Sequence, residues 1–185
     1  MQVTLQDIPE VLLLTPEVHS DSRGFFIETA RFRELRALGI PELVQQNQSR
    51  SQCGVLRGLH YQQPQFQGKL VRCSAGLIFD VAVDLRPSSP TFCRWVSALL
   101  DDVSHKQLWV PPGFAHGFLV LSAMADVCYS CSDYYRPDAQ HGIAWNDPDL
   151  AIAWPELPAG VRLQLSARDQ SFGRLRDQPR EHLPE

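Results

Sequence analysis

The sequence contains no uninterrupted apolar stretch long enough to cross a bilayer as a helix. Its longest uncharged apolar run, in Trp109–Ala125, is broken by Pro111, Pro112, Gly113, His116 and Gly117. It has no excess of basic charge: 17 Lys and Arg stand against 21 Asp and Glu, a net charge of −4. That argues against a nucleic-acid binder held by phosphate attraction, while leaving room for a local basic pocket around one anionic ligand. The opening MQVTLQDIPE lacks a basic and then apolar leader, so no signal peptide and a cytoplasmic location are expected. Cysteine is sparse and odd in number (Cys53, Cys73, Cys93, Cys128, Cys131), which fits reduced thiols rather than a disulfide framework. Cys128 and Cys131 have CxxC spacing, but no second pair completes a four-ligand site. On a strand, residues three apart also point to opposite faces. Internal repeats and low-complexity linkers are absent. With 44% hydrophobic and 21% charged residues, a disordered chain is excluded.

What is present reads mostly as strand. Short runs rich in Val, Ile, Leu, Phe and Tyr recur between Gly, Pro, Ser and Asp. They lie at Val11–Leu14, Gly54–Tyr61, Lys69–Cys73, Leu77–Leu85, Trp95–Leu100, Gln107–Val110, Gly117–Leu121 and Val127–Tyr134. Many short strands so spaced predict an all-β sandwich or barrel. The clearest helix is Ala30–Leu38, with Phe32, Leu35 and Leu38 at helical spacing and Gly39 and Pro41 to end it. One domain is expected over residues 1–170. Residues 171–185, charged and poor in apolar side chains, read as a loose tail.

In Leu77–Leu85, Phe79, Val81, Val83 and Leu85 share one strand face, and Asp80, Ala82 and Asp84 the other. Two ionised carboxylates on a face need partners if that face is buried. The aspartate face therefore either meets solvent or, in a barrel, lines a polar cavity.

Three segments concentrate chemistry. DSRGFFIE holds Arg23, Phe25, Phe26 and Glu28. QQNQSRSQCGVLRGLHYQQPQFQGKLVR holds Asn47, Ser49, Ser51, Arg57, His60, Gln62, Gln67, Lys69 and Arg72. WVPPGFAHGF places His116 after a Pro–Pro–Gly turn. Donors at this density beside glycine and aromatic residues suit a pocket for an anionic ligand, with Arg favoured for bidentate contacts. Taken alone, His60 and His116 are each either structural or catalytic. In unbroken alternation Arg57 and His60 face opposite sides, so if both line one pocket, a bulge at Gly58 is the simplest geometry.

These residues carry a resemblance. PPGFAH fits the P-x-G-x-x-H motif of the cupin double-stranded β-helix. More broadly, the chain resembles the dTDP-4-dehydrorhamnose 3,5-epimerase family over roughly residues 19–169. The matching stretches are DSRGFFIE, QQNQSRS, GVLRGLHYQ, GKLVRC, FDVAVDLRPSSPTF, WVPPGFAHGF, Tyr129 with Tyr134 and Tyr135, WNDPDLAIAWP and LSARD.

The resemblance implies a jelly-roll (cupin-like) barrel with a few short helices, forming a homodimer with exchanged strands. It implies action on dTDP-4-dehydro-6-deoxyglucose, inverting C3 and C5 without metal or organic cofactor. By residue matching, His60 is the base and Asp169 its carboxylate partner; Asp84, on a strand face rather than near the loose tail, is the alternative. Tyr129 is the proton donor, and Lys69 sits beside the C4 oxygen. Arg23, Phe26, Glu28, Gln45, Asn47, Arg57, Lys69 and His116 bind substrate, and Tyr135 stacks on thymine. Gln140 stands where the family has a binding glutamate. Ser130 and Arg168 replace lysines, and Cys93 replaces a glycine. A metal-dependent cupin uses H-x-H, but Tyr61 and Gln62 follow His60, so no metal is expected. The rivals are an epimerase inverting one carbon only, a ketoisomerase, and a non-catalytic nucleotide-sugar binder.

Overall fold

The computed structural model describes residues 1–184; Glu185 lies outside the described residues. Two antiparallel sheets face each other. The first has six strands: β1 (Gln2–Leu5), β2 (Leu12–Thr15), β10 (Gln107–Val110), β7 (Lys69–Ala75), β12 (Met124–Cys131) and β5 (Gln45–Gln52), in that spatial order. The second has five, in the order β13 (Gln140–Gly142), β6 (Leu56–Gln62), β11 (Phe114–Val120), β8 (Leu77–Asp84) and β9 (Trp95–Asp101). A hairpin of β3 (Val18–Asp21) and β4 (Gly24–Ile27) pairs with neither sheet. The helices are short: α1 (Phe32–Ala37) and α2 (Ala167–Ser171), with three 3₁₀ turns. This is the all-β jelly-roll architecture that the strand pattern and the cupin resemblance predict, and α1 is shorter than Ala30–Leu38 by three residues.

Three apolar layers hold the sheets. Between them lie Val71, Cys73, Ile78, Ala82, Leu108, Phe114, Phe118, Val120 and Val127. The outer face of the six-stranded sheet is covered where Leu35 of α1 and Ile40 pack on Leu12, Leu14, Leu70 and Trp109. The outer face of the five-stranded sheet buries Leu59, Val81, Val83, Leu85 and Ala115 under Ile143, Leu150 and Leu175.

Both faces of β8 are therefore covered, and the aspartate face points inward. Asp80 and Asp84 are fully buried and both are hydrogen-bonded, although Asp80 Oδ2 has no partner among the described residues. Asp80 Oδ1 lies 2.8 Å from His116 Nε2, and Asp84 accepts from Arg86, Ser89 and Thr91. Alternation reveals that two faces differ; it does not reveal what covers them.

The expectation of a loose C-terminal tail fails. Leu175 is 5% exposed within the outer core, its N–H donates to Asp147 Oδ2 at 2.6 Å, and Leu183 packs on the same layer. Two leucines eight residues apart are too sparse to register as a periodic pattern, yet they suffice as anchors. Cys93, at a position where the resembled family carries glycine, has φ +65°, the left-handed region that glycine enters most readily.

Candidate active site

The register of β6 against β11 brings the site together. His60 lies opposite His116 and Arg57 opposite Phe118, with a register shift between them. Residues 116 and 118 share a strand face, so Arg57 and His60 also share one despite being three apart. The extra residue falls in the Gly58–Leu59 step, where the sequence offered a bulge at Gly58 as the simplest way to put both residues on one face. Gly58 has φ +125°, and a Cβ there would lie 2.6 Å from Gly117 Cα, so only glycine fits.

At one end of the barrel, between the two sheets, opens a cavity of about 210 Å³. The five-stranded sheet contributes His60, Tyr61, Gln62 and Gln140. The six-stranded sheet contributes Gln45, Asn47, Lys69 and Tyr129. Gln67 and Tyr135 complete the lining from loops. His60 and Tyr129 thus project from opposite walls.

His60 Nε2 lies 2.5 Å from Oδ1 of Asp169, a residue of α2 that is only 5% exposed. A carboxylate accepts, so Nε2 carries the proton, and Nδ1 has no protein partner among the described residues. Burial pushes the His60 pKa down, and the Lys69 charge adds to this. The Asp169 hydrogen bond and charge oppose it without cancelling it. For Asp169 burial alone would raise the carboxyl, but the His60 bond and charge, with Ser166, outweigh it and hold it below its ordinary value. Asp84 cannot serve as the alternative partner, because its carboxylate is committed to Arg86, Ser89 and Thr91.

Lys69 is 9% exposed, and its ammonium forms no ion pair or hydrogen bond among the described residues. Burial depresses its pKa, opposed by Cys131 and Asp80. Burial raises the Tyr129 phenol, keeping it protonated. Below Lys69, Asn47 Nδ2 donates to Cys131 Sγ (3.7 Å), Gln45 donates to Asn47 Oδ1 (3.0 Å), and the Tyr135 N–H donates to Gln45 Oε1 (2.9 Å). Gln140 Oε1 accepts from both Tyr135 Oη and Arg168 Nη1, each at 2.7 Å.

Several expected ligand contacts lie elsewhere. His116 is buried against Asp80 and does not line the cavity, and Arg57 donates to Ser51 Oγ (3.0 Å). Arg23, Phe26 and Glu28 belong to the segment around the β3–β4 hairpin, outside the cavity of their own chain. The Arg23 side chain is 88% exposed and paired only with Asp21, and Phe26 is 68% exposed. Cys128 and Cys131 point to opposite faces of β12, with Cys128 near Ser74 and Cys131 near Asn47. Among the described residues no three His, Cys, Asp or Glu side chains converge as a metal site would require. Sequence reasoning missed Ser166, which binds Asp169 twice, and Phe172, whose ring stands edge-on 5.7 Å from that of His60. The S-x-x-D spacing of Ser166 and Asp169, a capping pattern, is the signal that would have found the serine.

Barrel and cavity together define the class: a cupin-type jelly roll with a polar cavity at one open end, its walls carrying an imidazole–carboxylate pair and a buried amine. Residues 5–177 match the family model described as dTDP-4-dehydrorhamnose 3,5-epimerase. The chain is 52% identical over 174 residues to the Pseudomonas aeruginosa protein of that name, covering 93% of this chain and 96% of that one. It is 48% identical over 175 residues to the Escherichia coli protein, covering 92% of each. The crystal structure of the Legionella pneumophila dTDP-6-deoxy-D-glucose-3,5-epimerase in complex with dTDP-4-keto-L-rhamnose superposes with a TM-score of 0.96 at 48% identity, over 100% of this chain and 97% of that one. The chain belongs to the dTDP-4-dehydrorhamnose 3,5-epimerase family, isomerases acting on a nucleotide sugar. No helix among the described residues is long and apolar enough to cross a membrane.

Proposed function

We propose that this chain epimerises dTDP-4-dehydro-6-deoxy-D-glucose at C3 and C5 to dTDP-4-dehydro-L-rhamnose, with no metal or organic cofactor. The observation that carries this reading is the placement of His60 and Tyr129 on opposite walls of one cavity, with the unpaired Lys69 beside them. Inversion requires a proton to leave one face of the sugar and return to the other. The free Nδ1 of His60 takes the proton next to the C4 ketone, and Asp169 stabilises the resulting imidazolium. Charge then moves to the C4 oxygen, where the Lys69 ammonium meets it. The Tyr129 O–H delivers a proton to the carbon from the opposite side. A buried phenol is a weak acid, but the enolate carbon is basic enough to take its proton.

Tyr135 stacks on thymine in this reading, while Gln45, Asn47 and Gln140 supply polar contacts and Arg57, whose charge acts on Tyr129, adds a cation beside the site. Arg23, Phe26 and Glu28 act in a second copy of the chain, in a homodimer with exchanged strands. Supporting this, the hairpin pairs with no other strand of its own chain and exposes Arg23, Phe25 and Phe26. Five free thiols are consistent with a reducing, cytoplasmic location.

The test is incubation with the substrate in heavy water, followed by NMR at both carbons. Deuterium entering C3 and C5, with formation of the rhamnose-configured product, is expected. Incorporation at one carbon would make the chain a mono-epimerase. Binding without incorporation would remove the catalytic reading.

A further inference from the structure

Asp169 has two carboxylate oxygens, and the structure accounts for both. Oδ1 faces His60 Nε2 at 2.5 Å, and Oδ2 accepts from Ser166 Oγ at 2.9 Å. The same serine oxygen accepts from the Asp169 N–H at 3.0 Å, as the N-cap of α2. A hydroxyl can donate once and accept twice, so Ser166 does both at a single residue. A carboxylate held at one oxygen keeps a broad, roughly two-fold terminal torsion. Held at both, it has one orientation. Phe172, the C-cap of the same helix, places its ring edge against His60, and a Cβ at Gly142 would lie 2.3 Å from that ring. The base is thus framed from both ends of a five-residue helix.

We propose that Ser166 is a positioning residue: its hydroxyl fixes the Asp169 carboxylate, and through it the His60 ring, in the orientation that presents Nδ1 to the cavity. This rests on the reading of His60 as the base. The capping bond and the donated bond are separable. Glycine is tolerated at an N-cap but donates nothing, whereas threonine keeps the hydroxyl.

The experiment compares the wild type with Ser166→Ala, Ser166→Gly and Ser166→Thr by kcat and KM, by deuterium wash-in, and by the NMR signal of the His60 Nε2 proton. Ser166→Ala and Ser166→Gly are expected to lower kcat by about tenfold, the low end for losing a residue that orients a functional histidine. KM should stay within about twofold, a change confined to the reacting geometry. Ser166→Thr should restore kcat. In an Asp169→Asn background, Ser166→Ala should cost nothing more, because the serine acts only through that carboxylate. The Nε2 proton signal should be sharp in the wild type and Ser166→Thr and broadened in the other two. Undiminished turnover in folded Ser166→Ala, or a full additional loss in the Asp169→Asn background, would overturn the proposal. Should the wild type itself wash in no deuterium, the reading of His60 fails, and the Nε2 signal alone then decides whether Ser166 orients the ring.

Discussion

Asp169 and His60, 109 residues apart in sequence, meet at 2.5 Å because a one-turn helix near the C-terminus docks against β6. The bond does two things to the imidazole. It assigns the proton to Nε2, and it opposes the burial that depresses the ring's basicity.

Replacing Asp169 by Asn leaves the shape and removes both effects. Turnover should fall by roughly 10²-fold, the lower range for general-base catalysis. The acidic limb of the kcat/KM profile should move to lower pH, since the only influences raising the His60 pKa come from Asp169. Steady-state kinetics across pH checks both.

The wild-type profile should be a bell. His60 must be neutral to accept a proton, so activity is lost as pH falls through a pKa below the ordinary 6.5. Lys69 must be charged, so activity is lost as pH rises through a pKa below the ordinary 10.5. An acidic midpoint above 6.5 would contradict the burial of His60.

Tyr129→Phe and His60→Ala should separate the two proton transfers. The first should abolish inversion while leaving part of the solvent-deuterium exchange, because the base acts before the donor. The second should abolish both. Equal loss of exchange in the two variants, measured by NMR, would end this division of roles.

Lys69→Met keeps most of the side-chain volume and removes the charge. The loss of transition-state stabilisation should be about 3 kcal/mol, with a small change in KM. Single-turnover kinetics measures it directly.

If the β3–β4 hairpin completes the site of a second copy, Arg23→Ala and His60→Ala variants should each be nearly inactive alone and recover activity when unfolded and refolded together. One intact site then forms in each mixed dimer. No recovery, with mixed dimers demonstrated by mass, would place Arg23 outside the partner's chemistry.

Much of this architecture was legible in the sequence, for identifiable reasons. Short alternating runs gave the strands, and Gly39 with Pro41 ended α1. The parity of Arg57 and His60 makes a bulge at Gly58 the simplest way to put both on one face, and the register shift of β6 against β11 lies there. Other features rest on contacts between distant segments. Nothing local says that Asp80 and Asp84 face inward, that Leu175 and Leu183 pin the C-terminal segment, or that Asp169 outcompetes Asp84 for His60. The resemblance named Asp169, whereas Arg86, Ser89 and Thr91 show physically why Asp84 is committed elsewhere. Likewise the motif that holds Arg23, Phe26 and Glu28 carries no information on whether the folded chain brings them to its own cavity, and it does not.

His60 and Tyr129 stand on different sheets, and no strand connects them directly. Their separation is set by the thickness of the apolar layer between the sheets, about 10 Å in face-to-face packing. The interior methyl groups of Val71, Val127 and Phe118's neighbours therefore act as spacers for the chemistry as well as ballast for the fold. Thinning that layer draws the two walls of the cavity together, and thickening it parts them. The rate of the proposed reaction then depends on side chains that do not line the cavity.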